Sequence, residues 1–140
     1  MEDEGLELEV ENKRKRSHAA QIEDLLQEGQ EVVVQVAKEP ISTKGARVTT
    51  YISLPGRYLV MMPGISHIGV SRRIEHGEER RRLRDFVNSR RRPNTGYIIR
   101  TASEGKSEED FKNDIEFLAR LWEAVQKKKD KVSAPALHTV

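Results

Sequence analysis

The sequence predicts an α+β fold, and three observations support that prediction. β-Branched runs bounded by Pro and Gly fill much of the first half of the chain, which is typical of strands. Two segments with apolar residues at helical spacing follow, at 76–89 and from residue 107 onward. One more apolar run, GYIIRTA at 96–102, lies between them. The predicted order is therefore four strands, helix, strand, helix, without internal repeats.

Four strands are predicted in the first half of the chain. The run EVVVQVAKE at 31–39 and the run ARVTTYISL at 46–54 are separated by the breaker-rich turn PISTKG, so we expect them to form a hairpin. The third strand is YLVMM, and the fourth is IGVSRRI, which follows the PGISH turn. A short helical turn at 22–30 precedes all four.

Two helices are predicted in the second half. The first, at 76–89, has Leu83, Phe86 and Val87 on one face, beneath a basic exposed face. The second begins with Ser107 as its N-cap and acids in its first turn, and it ends in lysines, which matches the helix dipole. The apolar positions of the second helix predict a buried stripe made of Phe111, Ile115, Leu118, Leu121, Trp122 and Val125.

Composition limits the possible classes of protein. With 140 residues, 34% of them charged and 36% hydrophobic, the chain is one domain or two very small ones, and part of it lies outside a core. The absence of cysteine excludes disulfides and thiolate zinc sites within this sequence. No apolar stretch is long enough to span a membrane, so we expect a cytoplasmic protein.

Positive charge is concentrated between Arg72 and Arg92. This stretch holds nine arginines against four acids, a local excess of five charges, although the formal net charge of the chain is only +2. Such a patch attracts polyanions through long-range forces and counterion release. The isolated KRKR block at 13–16 is more simply a solvated charge run.

Catalytic patterns are scarce in the sequence. Asp110 and Asp114 stand one helical turn apart and could share a metal, but acids at the start of a helix more often serve as caps. His67 and His76 have no second ligand at metal-binding spacing, which favours surface histidines. The pattern of residues therefore indicates binding rather than catalysis.

Cationic and hydroxyl side chains follow two of the predicted strands. Arg72 closes one strand, and Arg100 with Thr101 closes another, so neighbouring strands would bring these groups together. Guanidinium groups, a hydroxyl and backbone N–H groups are the components of a phosphate pocket. The alternative is that these arginines form ion pairs with Glu75 or Glu104, and the residues alone leave both interpretations open.

Three segments of the chain resemble a known family. The stretch EGQEVVVQVAKEPISTKGARVTTYISLPGRYLVMMPG, then GVSRRIE, then GYIIRTASEG are similar, in the same order, to consecutive segments of the bacterial ribonuclease E/G family. The resemblance extends over roughly residues 21–130. In that family these segments are the last strands of an OB-type RNA-binding barrel and a domain that senses the 5′ end of RNA.

The resemblance implies a domain organisation. It predicts a partial OB-type β-barrel followed by a small α/β sandwich that forms the 5′-sensor domain. The predicted parts are a flexible charged arm at 1–20, the partial barrel at 21–50, the 5′-sensor at 51–130 and a tail at 131–140.

Site residues can be carried over from the family by matching position. The resemblance implies that three residues bind the 5′-monophosphate of RNA, namely Arg72, Arg100 and Thr101. It further implies two contacts to the terminal nucleotide, Gly56 and Val60, and one basic residue on the RNA-binding face of the barrel, Lys44.

The implied function is to hold single-stranded RNA and recognise a 5′-monophosphate, which favours cleavage in RNA processing and decay. Two alternatives remain: a general basic RNA-binding module without 5′-end sensing, and a protein–protein interaction domain. The catalytic aspartates that bind magnesium, and a zinc link, belong to later domains of the family. We therefore expect no cofactor and no hydrolytic activity in this chain alone. We also expect an unpaired sheet edge that pairs with the rest of the ribonuclease or with a second copy.

Overall fold

The computed structural model describes residues 21–138, and its mixture of helices and sheets confirms the α+β class. The helices are α1 (Ile22–Leu25), α2 (Gly77–Arg90) and α3 (Glu108–Lys131), and a 3₁₀ turn spans Thr101–Ser103. The strands are β1 (Gln35–Lys38), β2 (Arg47–Thr49), β3 (Leu54–Pro55), β4 (Leu59–Pro63), β5 (Ile68–Val70) and β6 (Thr95–Ile99). The predicted arm at 1–20 and the last two residues of the predicted tail lie outside the described residues.

The chain divides into two compact units. Helix α1 belongs to the first unit, and all other elements belong to the second, which begins at Val33. Within the described residues, the strands form one two-stranded and one four-stranded sheet and do not close into a barrel. No helix between residues 21 and 138 combines the length and the apolar character that a membrane crossing needs.

The two-stranded sheet is the predicted hairpin. Strands β1 and β2 pair in antiparallel orientation with Val36 opposite Val48. The side-chain amide of Gln35 reaches beyond the hairpin, donating from Nε2 to the carbonyl of Ser53 (2.8 Å) and accepting from its N–H at Oε1 (2.7 Å). This side chain therefore pairs with the backbone just before β3 as a neighbouring strand would.

The four-stranded sheet has the order β3-β4-β6-β5. Strand β4 pairs in antiparallel orientation with both β3 and β6. Strands β5 and β6 are parallel and are connected by α2. The fourth predicted strand, IGVSRRI, was too long, because the chain turns after Val70 and buries Ile74 in the core while Arg72 and Arg73 stay exposed. The second predicted strand was also too long: β2 ends at Thr49, and the residues from Leu54 start a separate strand.

Helices α2 and α3 pack against one face of this sheet. The core between them contains Leu54, Leu59, Met61, Val70, Ile74, Leu83, Val87, Tyr97, Ile99, Phe111, Ile115 and Leu118. Each such side chain contributes about 1.5–3 kcal/mol when fully buried. Most of the predicted helical stripe is confirmed: Leu121 and Trp122 pack at the margin of the core, and Val125 is half-buried.

Candidate functional site

The C-terminal ends of β5 and β6 lie side by side at one end of the four-stranded sheet. Val70 lies opposite Ile99 in the parallel register, and the N–H of Ser71 donates to the carbonyl of Ile99 at 2.9 Å. Beyond this bond, the hydroxyls of Ser71 and Thr101 are hydrogen-bonded to each other at 2.7 Å. The structure therefore brings the residues after these two strands together, as the sequence predicted.

Arg100 connects this end of the sheet to the turn between β3 and β4. Its backbone N–H donates to the carbonyl of Tyr58 at 2.9 Å, and its guanidinium Nη1 donates to the carbonyl of Gly56 at 2.8 Å. The side chain is half-exposed. Gly56, Arg100 and Thr101 thus lie at the same end of the sheet, and Arg72 follows Ser71 directly in the exposed turn after β5.

The turn between β3 and β4 wraps around a buried carboxylate. Asp114 of α3 is 7% exposed and accepts hydrogen bonds from three consecutive backbone N–H groups, those of Arg57 (3.0 Å), Tyr58 (2.9 Å) and Leu59 (2.9 Å). A Cβ atom at Gly56 would lie 2.6 Å from one oxygen of this carboxylate, closer than real Cβ atoms approach. A side chain at position 56 would therefore force the turn or the Asp114 carboxylate to shift.

The capping interpretation of the two aspartates of α3 is right for one of them. Asp110 accepts from the N–H and the hydroxyl of Ser107, each at 2.9 Å, and these bonds hold its pKa below the ordinary value. Asp114 is not a cap, because its carboxylate faces the turn before β4. Across residues 21–138, no group of three or more His, Cys, Asp or Glu side chains is placed to hold a metal ion.

Val60 directly follows the turn that binds Asp114, whereas Lys44 belongs to the hairpin. Val60 is a half-buried residue of β4 that pairs with Ile98 of the central strand β6. Lys44 is exposed in the turn of the hairpin, where its backbone pairs with Ile41. The fold therefore separates the predicted basic residue of the barrel face from the residues at this end of the four-stranded sheet.

Part of the arginine cluster between Arg72 and Arg92 has a structural role in the fold. The guanidinium of Arg80 donates to the carbonyls of Ser71 (2.6 Å) and Ile74 (3.1 Å), and that of Arg91 donates to the carbonyl of Thr95 (2.8 Å). These two side chains fasten chain turns, while Arg81 and Arg84 remain exposed on the helix.

Arg82 is also engaged by the fold. It forms an ion pair with Glu79 and donates from Nη1 to the carbonyl of Lys106 at 2.9 Å. The hydrogen bonds from Arg82, together with one from the N–H of Gly105 at 2.7 Å, lower the pKa of Glu79 to about 2. An open depression of about 490 Å³ lies beside this pair, lined by His76, Glu78, Glu79, Arg82, Glu104 and Gly105.

Two residues of the site were missed at the level of sequence, and a third, Asp114, was named there in a different role. Ser71 carries the hydroxyl that contacts Thr101, Ser103 donates from Oγ to the carbonyl of Tyr58 at 2.7 Å, and Asp114 holds the turn. Ser71 could have been found, because a polar residue at the end of an apolar strand stands directly before Arg72. No local pattern identifies the other two, because their partners are 45 or more residues away in the chain.

Comparison with known proteins identifies the family. Residues 53–139 match the model of the family described as "Ribonuclease E/G family". The chain belongs to the ribonuclease E/G family. Ribonuclease G of Haemophilus influenzae is 54% identical over 121 residues, which are 86% of this chain and 25% of that protein. Ribonuclease G of Escherichia coli (strain K12) is 50% identical over 108 residues, 77% of this chain and 22% of that protein.

A ribonuclease E is also among the relatives. That of Nostoc sp. is 45% identical over 124 residues, which are 89% of this chain and 18% of that protein. The chain thus spans a quarter or less of the length of these three relatives.

Proposed function

We propose that this chain is the RNA-binding and 5′-monophosphate-sensing portion of an endoribonuclease of the E/G type. In this role it holds single-stranded RNA for cleavage during RNA processing and decay. The observation that carries the proposal is the meeting of the β5 and β6 ends, where the hydroxyls of Ser71 and Thr101 lie 2.7 Å apart. The names of the relatives, ribonuclease G and ribonuclease E, support the RNA substrate.

The chemistry at this end of the sheet suits a terminal phosphate. Arg72 and Arg100 supply guanidinium groups, and Thr101 adds a hydroxyl that is already oriented by Ser71. A terminal monophosphate carries more negative charge than an internal diester and accepts more charge-assisted hydrogen bonds. These residues would therefore favour a 5′-monophosphate over a 5′-hydroxyl end, and binding would need no metal or cofactor from this chain.

The remaining predicted residues are assigned to other contacts with the RNA. Gly56, which has no side chain, would lie against the terminal nucleotide together with Val60, and Lys44 on the hairpin would contact the RNA backbone. In this arrangement residues 21–50 contribute the partial OB-type barrel, and residues 51–130 form the 5′-sensor.

Fluorescence anisotropy with a short unstructured RNA tests the proposal. The RNA carries either a 5′-monophosphate or a 5′-hydroxyl, and the wild type is compared with Arg100→Ala. We expect the wild type to prefer the monophosphate form, and Arg100→Ala to lose about tenfold or more in affinity for that form alone. Arg84→Ala, which removes an exposed arginine of α2, is the matched control and should leave the preference unchanged.

Lys44→Ala separates end recognition from backbone binding in the same assay. This substitution should weaken the binding of both RNAs equally, and it should lower the salt dependence of the affinity by about one released counterion. Equal binding of the two RNAs by the wild type would contradict 5′-end sensing and favour a general RNA-binding module. If salt-sensitive RNA binding is absent altogether, the chain is instead an interaction domain for another protein.

A further inference from the structure

We propose that Asp114 is a positioning residue for 5′-phosphate recognition. It acts on Arg100 through the turn at 56–59, and it touches no RNA itself. This inference rests on the proposed function and adds to it a buried residue of α3 that lies behind the site.

Burial determines what the carboxylate of Asp114 requires from its neighbours. Asp114 is the only buried acidic side chain in the part of the chain that the structure describes. A buried carboxylate is costly unless several donors compensate for the lost water. Here the donors are the three consecutive N–H groups of residues 57–59, and position 56 carries no Cβ that would block the approach.

The same turn is connected to Arg100 by two hydrogen bonds. With its N–H groups directed at Asp114, the turn presents the carbonyls of Gly56 and Tyr58 to Arg100. Gly56 accepts from the guanidinium at 2.8 Å, and Tyr58 accepts from the backbone N–H of Arg100 at 2.9 Å. The side chain and the backbone of Arg100 are thus both attached to the segment that Asp114 holds.

The consequence is that the position of the guanidinium depends on the carboxylate. If the turn relaxes, the carbonyl of Gly56 moves and the guanidinium of Arg100 moves with it, although the arginine itself is unchanged. A hydrogen-bond donor is effective only when it is held within a few tenths of an ångström of its productive position. Loss of Asp114 should therefore resemble loss of Arg100 in the recognition of phosphate.

The test is Asp114→Asn, which keeps the size of the side chain but replaces one acceptor oxygen with an NH₂ group. At least one of the three N–H groups then loses its acceptor. We expect unchanged affinity for 5′-hydroxyl RNA and about a tenfold loss of preference for 5′-monophosphate RNA. Asp110→Asn is the matched control, since it removes the same charge from the same helix but only disturbs the cap, and it should keep the preference.

A double variant distinguishes positioning from a general structural effect. In the Arg100→Ala background, Asp114→Asn should cause no further loss of preference, because both substitutions disable the same group. Retained preference in Asp114→Asn, or a further loss in the double variant, would overturn the inference.

A second measurement uses the wild type, so it can be made even if a thermal melt shows that Asp114→Asn is unfolded. In an NMR titration, the backbone N–H signals of Arg57, Tyr58 and Leu59 should shift further with 5′-monophosphate RNA than with 5′-hydroxyl RNA. Unchanged signals for these three, beside a shifted Thr101, would refute the role of Asp114. If the wild type shows no preference at all, the proposed function fails instead, so the two failures are distinguishable.

Discussion

The hairpin and the four-stranded sheet both contain antiparallel strand pairs, but they differ in how much apolar surface they bury. In the hairpin, the opposed side chains of Val36 and Val48 are 55% and 51% exposed, whereas Leu59 and Ile99 of the large sheet are fully buried. Hydrogen bonding alone contributes little net stability, and burial of apolar surface contributes most of it. The proposed phosphate site therefore belongs to the four-stranded sheet, which has a packed core, whereas Lys44 belongs to the hairpin, whose opposed valines are half-exposed.

The largest expected contrast between the two regions comes from truncating one apolar side chain in each region to alanine. Leu118→Ala removes a fully buried side chain of α3 and should lower the free energy of unfolding by about 2–5 kcal/mol. Val48→Ala in the hairpin should cost less than about 1 kcal/mol, because half of this side chain already faces solvent. Urea denaturation of both variants measures the difference, and equal losses would contradict the division into a packed and an unpacked region.

Two glycines give a contrast of intermediate size. Gly56→Ala places a Cβ 2.6 Å from the Asp114 carboxylate and should cost about 1–3 kcal/mol, because either the carboxylate or the turn that it holds must shift. Gly45→Ala in the hairpin turn meets no atom within 4 Å and should be neutral or stabilising by up to about 1 kcal/mol. Thermal melts of the pair test this, and a Gly56→Ala protein as stable as the wild type would show that the turn is not tightly packed.

The smallest expected effect is a dependence on pH at the margin of the packed region. The pKa of Glu79 is about 2 in the folded chain against 4.5 ordinarily, so its contribution to stability is complete above about pH 4.5 and is lost as the pH falls toward 2. Glu79→Gln should therefore differ from the wild type in urea midpoint near pH 6 and converge with it near pH 2.

Ionic strength is the check on this result. Because Glu79 and Arg82 are accessible to solvent, high salt should reduce the difference at pH 6. A difference between the two proteins that persists unchanged down to pH 2 would rule out the ion pair as its source.

Local patterns predicted the parts of the fold that depend on neighbours in sequence. The hairpin, the Ser107 cap and the apolar faces of α2 and α3 follow from spacing and turn chemistry, and all of them are present. The boundary after Val70 was missed, because it depends on Ile74 entering the core. A run of strand-forming residues does not reveal where tertiary packing bends the chain.

The sequence predicted which residues follow the two strands, but it did not predict the buried and backbone-binding side chains that hold the site in place. That Arg72, Arg100 and Thr101 follow two strands was visible in the sequence, and the parallel pairing of β5 with β6 places those strand ends side by side. The roles of Asp114 and Arg80 were not visible, because each binds backbone groups that look alike at every position of the chain. Whether the site residues act as proposed stays a prediction until RNA binding is measured.

The parallel pairing of β5 and β6 has a consequence for the order of events during synthesis. Thirty positions separate Ser71 from Thr101, and the strand that ends beside Thr101 is inserted between β4 and β5. A chain emerging from the ribosome exposes Arg72 long before Arg100, and the closure of so long a loop is paid for in entropy before any contact forms. The two halves of the proposed phosphate site therefore meet only when β6 has paired with β5, and 5′-end recognition as proposed would have to wait for that strand.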